Sequence, residues 1–183
     1  LLDTPPEEVF DRITRLVARI LDVPIALVSL VDTERQWFKS RVGLDVCETP
    51  REVAFCAHAI AQTAPLIVPD ATTDIRFMNS ALVTGSPHIR FYAGIPIHTA
   101  GGLAIGTLCA IDSKPRQLSS DEITILLDLA AVVSKEVQMR EAMMLSHTRS
   151  EQAIQAVETV EARFKTVFER AGVGIALVAP DGG

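Results

Sequence analysis

Between Ser119 and Gly172 the chain contains neither proline nor glycine, and a stretch of that length without a breaker reads as one long helix or two joined end to end. Ser119 and Glu122 form a capping box that marks its start. Ile123, Leu126, Leu127, Ala130, Val133 and Val137 recur at helical spacing, wide enough to pack on a neighbouring layer and also to leave a seam. The pattern thins from Ser146 to Gln152 and resumes at Ile154, Val157 and Val160. A helix this long cannot bury its far end on the domain before it, so it needs a partner, most simply its own copy in a parallel dimer. The expected seam is Leu127, Ala130, Val133, Val137, Met144, Ile154 and Val157.

Ahead of that helix, the text alternates short apolar runs with turn residues. Thr4-Pro5-Pro6-Glu7 reads as a helix start, with Thr4 as N-cap and Glu7 closing a capping box. Val9, Phe10, Ile13, Leu16, Val17, Ile20 and Leu21 then define one buried face, and Pro24 ends the helix. Ile25 to Val31 and Gln36 to Val42 predict two strands joined as an antiparallel hairpin. Gly43 to Arg51 reads as loop, Val53 to Gln62 as a short helix and Leu66 to Val68 as a short strand. Asp70 to Pro87 mixes turn residues with Phe77, Met78, Leu82 and Val83, which suits an ordered, lid-like loop. Ile89 to Ile97 and Leu103 to Ile111 predict two further strands around an Ala100-Gly101-Gly102 turn, with Gly94 and Gly106 marking bulges or close approaches.

The chain has 183 residues, of which 48% are apolar, enough for a real core. A net charge of -6 opposes attraction to phosphate backbones, so nucleic acid is not an expected partner. No apolar run reaches the roughly 18 to 20 residues that span a bilayer, and the first residues lack the features of a signal peptide. Membrane contact is not expected and a cytoplasmic location is. Cys47, Cys56 and Cys109 show neither a CxxC pair nor zinc spacing, so reduced thiols are expected and a metal is not.

Several residues are candidates for a site. Cys56 and His58 lie two apart, and a reactive pair would need a third group that spacing does not supply; both read as pocket-facing, with Phe55 beside them. Asp70, Asp74, Arg76 and Asn79, near Phe77, form a polar group that either meets a ligand or caps and pairs within its own loop. Arg90 and Tyr92 alternate with core residues on a strand. His98 and His147 read as solvated.

The order helix, two strands, helix, strand, lid-like loop, two strands, long helix resembles the GAF domain. The stretches that carry the resemblance are RQWFKSRVGLDVCETPREVAFCAHAI (Arg35 to Ile60), VPDATTDIRFMNSALVTGSPHIRFYAGIPI (Val68 to Ile97) and AIGTLCAID (Ala104 to Asp112). They look like the GAF domains of bacterial sensor histidine kinases and of diguanylate cyclase or phosphodiesterase proteins. The resemblance covers residues 1–140 and overlaps the start of a signalling helix over 120–163. Residues 164–183, with a short helix, a glycine-separated strand and an Asp-Gly turn, resemble the start of a PAS domain.

The resemblance implies an α+β fold with a central antiparallel sheet flanked by helices, a small-molecule pocket, and dimerisation through flanking helices. It implies a non-catalytic sensory module controlling a kinase or cyclic-di-GMP output domain. The alternatives are a structural dimerisation domain without ligand, or a thiol enzyme such as a free methionine sulfoxide reductase, for which Cys47 and Cys56 would have to approach each other. The patterns of cyclic nucleotide-binding and bilin-binding members are missing, and Cys56-Ala57-His58 is neither the Cys-His dipeptide nor the Asp-x-Cys-Phe sequence of the latter. The cofactor is thus left unassigned and the ligand unidentified.

Overall fold

The computed structural model describes residues 1–171, with side chains described to Val167. The chain divides into two units, Leu1–Glu141 and Ala142–Gly183. In the first, the elements run α1 (Glu8–Ile20), β1 (Ile25–Val31), β2 (Arg35–Val42), β3 (Glu48–Pro50), α2 (Phe55–Ile60), β4 (Leu66–Val68), α3 (Ala81–Thr84), β5 (Phe91–His98), β6 (Ala104–Asp112) and the beginning of α4 (Ser120–Ala171). The strands form one antiparallel sheet in the order β3-β2-β1-β6-β5-β4.

Period-two alternation gives this sheet two faces with different coverings. On one, Ala26 and Val28 of β1, Phe91, Ala93, Ile95 and Ile97 of β5, and Leu108 and Ala110 of β6 pack beneath α1 and α4. The helices contribute Phe10, Ile13 and Val17, and Leu126, Ala130, Val133 and Val137. On the other face, Ile25, Leu27, Phe38, Tyr92, Cys109 and Ile111 meet Phe55, Cys56 and Ala59 of α2 and the segment around α3. Gly106 makes the tight centre possible, since a Cβ there would stand 2.0 Å from the Ser29 carbonyl oxygen.

Three sequence expectations change here. Helix α1 starts at Glu8 with no side-chain cap. Each residue ahead of a proline is pushed out of the helical region, which holds Thr4 and Pro5 extended. The Glu7 carboxylate pairs with Lys39 at 2.6 Å and with Arg140 instead of closing a box. Helix α1 also ends before Pro24, at Ile20, and Leu16 and Ile20 are exposed, so its buried stripe is narrower than its apolar one. Glu48–Pro50, read as loop, adds the edge strand β3 against Arg35, Gln36 and Trp37.

A bulge in β2 was not legible at all. The register with β1 shifts at Val28/Ser29, where Phe38 and Ser40 take consecutive partners and Lys39 is the extra residue. Lys39 and Ser40 consequently both reach the α1 side. Lys39 Nζ bonds Thr4 Oγ1, the Pro5 carbonyl and Glu7, while Ser40 Oγ bonds Thr14 and Asp11.

The capping box of α4 forms as expected, with Glu122 N–H donating to Ser119 Oγ and the Glu122 carboxylate accepting from Ser119 N–H at 2.7 Å. These bonds hold the Glu122 carboxyl below the usual range. The helix is continuous to Ala171. Residues 164–171, expected as a separate short helix, therefore close α4, and the strand and turn expected beyond them lie outside the described residues.

Ala130, Val133 and Val137 are buried against the sheet of their own domain, which removes them from the expected seam. Of that set, Leu127, Met144, Ile154 and Val157 are exposed, at 42%, 67%, 61% and 59%.

Candidate functional site

The face of the sheet opposite α1 and α4 carries a cavity of about 290 Å³. Its floor is Ile25 and Leu27 of β1 with Tyr92 of β5 and Ile111 of β6. Gln36 and Phe38 of β2 enter from the side, and Ala54, Phe55 and Cys56 at the start of α2 form a wall. Leu82, Ser86, Pro87 and Ile89 close the opposite side, while Leu44, Val46 and Thr49 form the rim. None of these lining residues is Asp, Glu, Lys, Arg or His.

Two close contacts frame the space. Tyr92 lies along its own strand over Gly94, where a Cβ would stand 2.1 Å from its hydroxyl oxygen. Phe55 stacks on Phe77 with ring centroids 4.1 Å apart, and the Tyr92 ring lies 5.0 Å from Phe55. The stack ties the first turn of α2 to the lid segment, with aromatic contact worth about 0.5–1.5 kcal/mol beyond burial.

Beneath the cavity lies a buried polar chain. Ser29 Oγ bonds Thr107 Oγ1 at 2.9 Å, Thr107 Oγ1 meets Cys109 Sγ at 2.8 Å, and Cys109 Sγ lies 3.3 Å from Cys56 Sγ. The Tyr92 hydroxyl donates to Cys56 Sγ at 3.3 Å. Burial opposes ionisation of Cys56, but hydrogen bonds from Cys109, Ser29, Thr107 and Tyr92 outweigh it and bring the thiol down to about 6. Burial pushes the Cys109 thiol and the Tyr92 hydroxyl up. The two thiols touch, so they titrate as a coupled pair. The approach of Cys47 to Cys56 that a thiol enzyme would need is not what the structure has: Cys47 is exposed, and the neighbour of Cys56 is Cys109. Strand pairing decides this, because β6 brings Cys109 to the pocket face beside Leu27.

Of the residues singled out in the sequence, Phe55, Cys56 and Tyr92 line the cavity and Phe77 backs Phe55. The polar group turns on itself. Asp70 accepts from Thr72 N–H and Oγ1, and Asp74 accepts from the Arg76 guanidinium at 2.6 and 2.9 Å. These partners lower both carboxyls, Thr72 for Asp70 and Arg76 for Asp74. Asn79 is exposed, and Arg90 donates to the Val83 and Ile89 carbonyls. His58 is exposed and sets its ring edge against Phe77 at 5.0 Å, on the far side of α2 from Cys56. Asp70, Asp74, Arg76, Arg90 and His58 therefore bond or pack within the lid segment and its neighbours, and neither they nor Asn79 are among the cavity's lining.

Gln36 was the residue missed. It alternates correctly with Phe38 along β2, but a glutamine in a strand carries no mark that distinguishes a solvated position from a buried one. Among the described residues no group of three His, Cys, Asp or Glu side chains could hold a metal ion, and no helix is long and apolar enough to cross a membrane.

Comparisons with known proteins agree on the fold. The chain is 43% identical over 138 residues to the cyclic di-GMP phosphodiesterase PA2567 of Pseudomonas aeruginosa, a match that takes in 75% of this chain and 24% of that protein. The GAF domain of a phosphoenolpyruvate-protein phosphotransferase from Acinetobacter superposes with a TM-score of 0.61 at 18% identity, over 73% of this chain and 82% of that one. A domain of a two-component sensor histidine kinase protein from Sinorhizobium meliloti 1021 gives 0.58 at 18% identity, over 77% and 97%. A free methionine-R-sulfoxide reductase from Neisseria meningitidis gives 0.58 at 19%, over 72% and 78%. At these identities the solved structures speak for the fold alone. The GAF domain family model matches residues 5–137, and in keeping with the sheet order and the two-faced core this chain belongs to the GAF domain family.

Proposed function

We propose that the chain is a non-catalytic sensory and regulatory module of a multidomain signalling protein, in which occupancy of the cavity and pairing of α4 with its copy control a catalytic domain. One observation carries this reading: a single sheet separates the cavity from α4. Ile25, Leu27, Tyr92 and Ile111 face the cavity, and their strand neighbours Ala26, Val28, Ala93 and Ala110 lie in the core that α4 completes with Leu126, Ala130, Val133 and Val137. A ligand that fits one arrangement of the sheet better than another shifts the helix by that difference in affinity.

Pairing of α4 is supported by apolar side chains at Ile154, Val157, Val160, Phe164 and Val167, whose last four follow a 3-4-3 spacing suited to a coiled-coil seam. The kinship with a cyclic di-GMP phosphodiesterase favours a cyclic di-GMP output domain over a kinase. The thiol-enzyme alternative is disfavoured by surroundings, since among the described residues the hydrogen-bond partners of Cys56 and Cys109 are each other, Ser29, Tyr92 and Thr107 and include no histidine or carboxylate.

The test is the molar mass in solution by light scattering. The dimer is expected at micromolar concentration, and Ile154→Asp with Val157→Asp should yield a monomer whose thermal unfolding of the first unit is unchanged. A wild-type monomer at high concentration would overturn the pairing.

A further inference from the structure

The cavity contains one polar group with no counterpart. Gln36 is 5% exposed, its side chain lines the cavity, and its amide oxygen is buried without a hydrogen-bond partner among the described residues. Buried polar atoms are almost always paired, so an orphan in a binding-sized space calls for a donor. A water is a poor candidate for that donor. It needs two to four polar partners of its own, and the strands place Phe38, Val31 and Thr49 around Gln36, of which Thr49 alone is polar.

We propose that the cavity takes a neutral, mainly apolar small molecule carrying one N–H or O–H group, which donates to the Gln36 amide oxygen. The size fits, because about 290 Å³ lies at the lower end of the range for small-molecule sites. Charge decides the rest. A phosphate or carboxylate would lose its water among side chains that offer no cation, a penalty that excludes cyclic nucleotides and dinucleotides from this space. The rings of Phe38, Phe55 and Tyr92 supply flat faces for an aromatic or cyclic body. Gln36 also sits where its occupancy is felt, opposite Val31 on β1 and Thr49 on β3, between the inner sheet and the rim.

The inference rests on the sensory reading above, and the experiment separates the two. The purified chain is titrated with indole, 1-methylindole and indole-3-carboxylate, following methyl NMR signals of Leu27, Leu82 and Ile111. Indole should shift these methyls and bind about tenfold tighter than to Gln36→Leu. 1-Methylindole, which lacks the donor, should bind wild type and variant within about twofold of each other, as the loss of one hydrogen bond requires. Gln36→Met serves if the leucine variant is unstable, and the contrast between indole and 1-methylindole on wild type needs no variant. Equal indole affinity with and without Gln36 overturns the anchor. Tighter binding of the carboxylate, with the same methyl shifts, overturns the neutral class while leaving a ligand-responsive module. No shift with any of the three probes overturns the inference, while the module's pairing through α4 is then judged by the light-scattering test above.

Discussion

Replacing Glu7 by glutamine removes the charge that holds three elements together. Its carboxylate meets Lys39 of the β2 bulge at 2.6 Å and Arg140 near the end of the first unit. The Lys39 side chain is 1% exposed and that of Glu7 35%. Breaking a fully buried pair costs about 3–5 kcal/mol because an uncompensated charge stays behind, whereas an exposed pair is worth about 0.2–1 kcal/mol. Glu7 lies between these cases. Thr4 Oγ1 and the Pro5 carbonyl still accept from Lys39, and glutamine can accept one bond, so the loss should be about 2 kcal/mol.

For a domain of this size that loss lowers Tm by roughly 4–8 °C, measurable by circular dichroism at pH 7. The pH dependence follows from the same pair. The Lys39 hydrogen bond, against the opposing effect of burial and with help from Arg140, holds the Glu7 carboxyl below its ordinary 4.5. Its stabilisation is complete above that ordinary value and disappears as pH falls through the lower folded value. Wild type and Glu7→Gln should therefore converge in acid. Adding Lys39→Met to Glu7→Gln should recover most of the loss, since no charge then remains buried. A loss under about 0.5 kcal/mol at pH 7, or a gap that persists once Glu7 is protonated, would refute the assignment of a buried charge bridge.

Gly106→Ala should cost more than about 3 kcal/mol in urea unfolding, because the added methyl meets the Ser29 backbone oxygen and neither strand can move alone; a loss under about 1 kcal/mol would show that the sheet yields there. Iodoacetamide on the native protein should modify Cys47 quickly and Cys56 and Cys109 only on unfolding, as peptide mass spectrometry will read; rapid labelling of Cys109 in the native state would contradict the closed polar chain beneath the cavity.

Much of the fold could be read directly. The β-branched runs at Ile25 to Val31 and Ile89 to Ile97, and the Ser119 and Glu122 capping box, depend on neighbours in sequence, and they stand within a residue or two of where they were expected. The first capping box failed because a distant lysine outcompeted a local bond for Glu7. The candidate site was legible where it lay on alternating or helical pattern, as with Phe55, Cys56 and Tyr92. Where polar residues cluster, the sequence left two readings open, and Asp74 and Arg76 satisfy each other within their loop.

Composition and periodicity thus determined which segments become strands and helices and that the last helix outruns its domain. Only the tertiary structure decided that Ala130, Val133 and Val137 are core, that Cys109 meets Cys56, and that Gln36 stands unpaired in an apolar cavity. The physical reason is range. A repeat of 3.6 or 2 says which side chains share a face, whereas strand register and one bulge determine what that face meets.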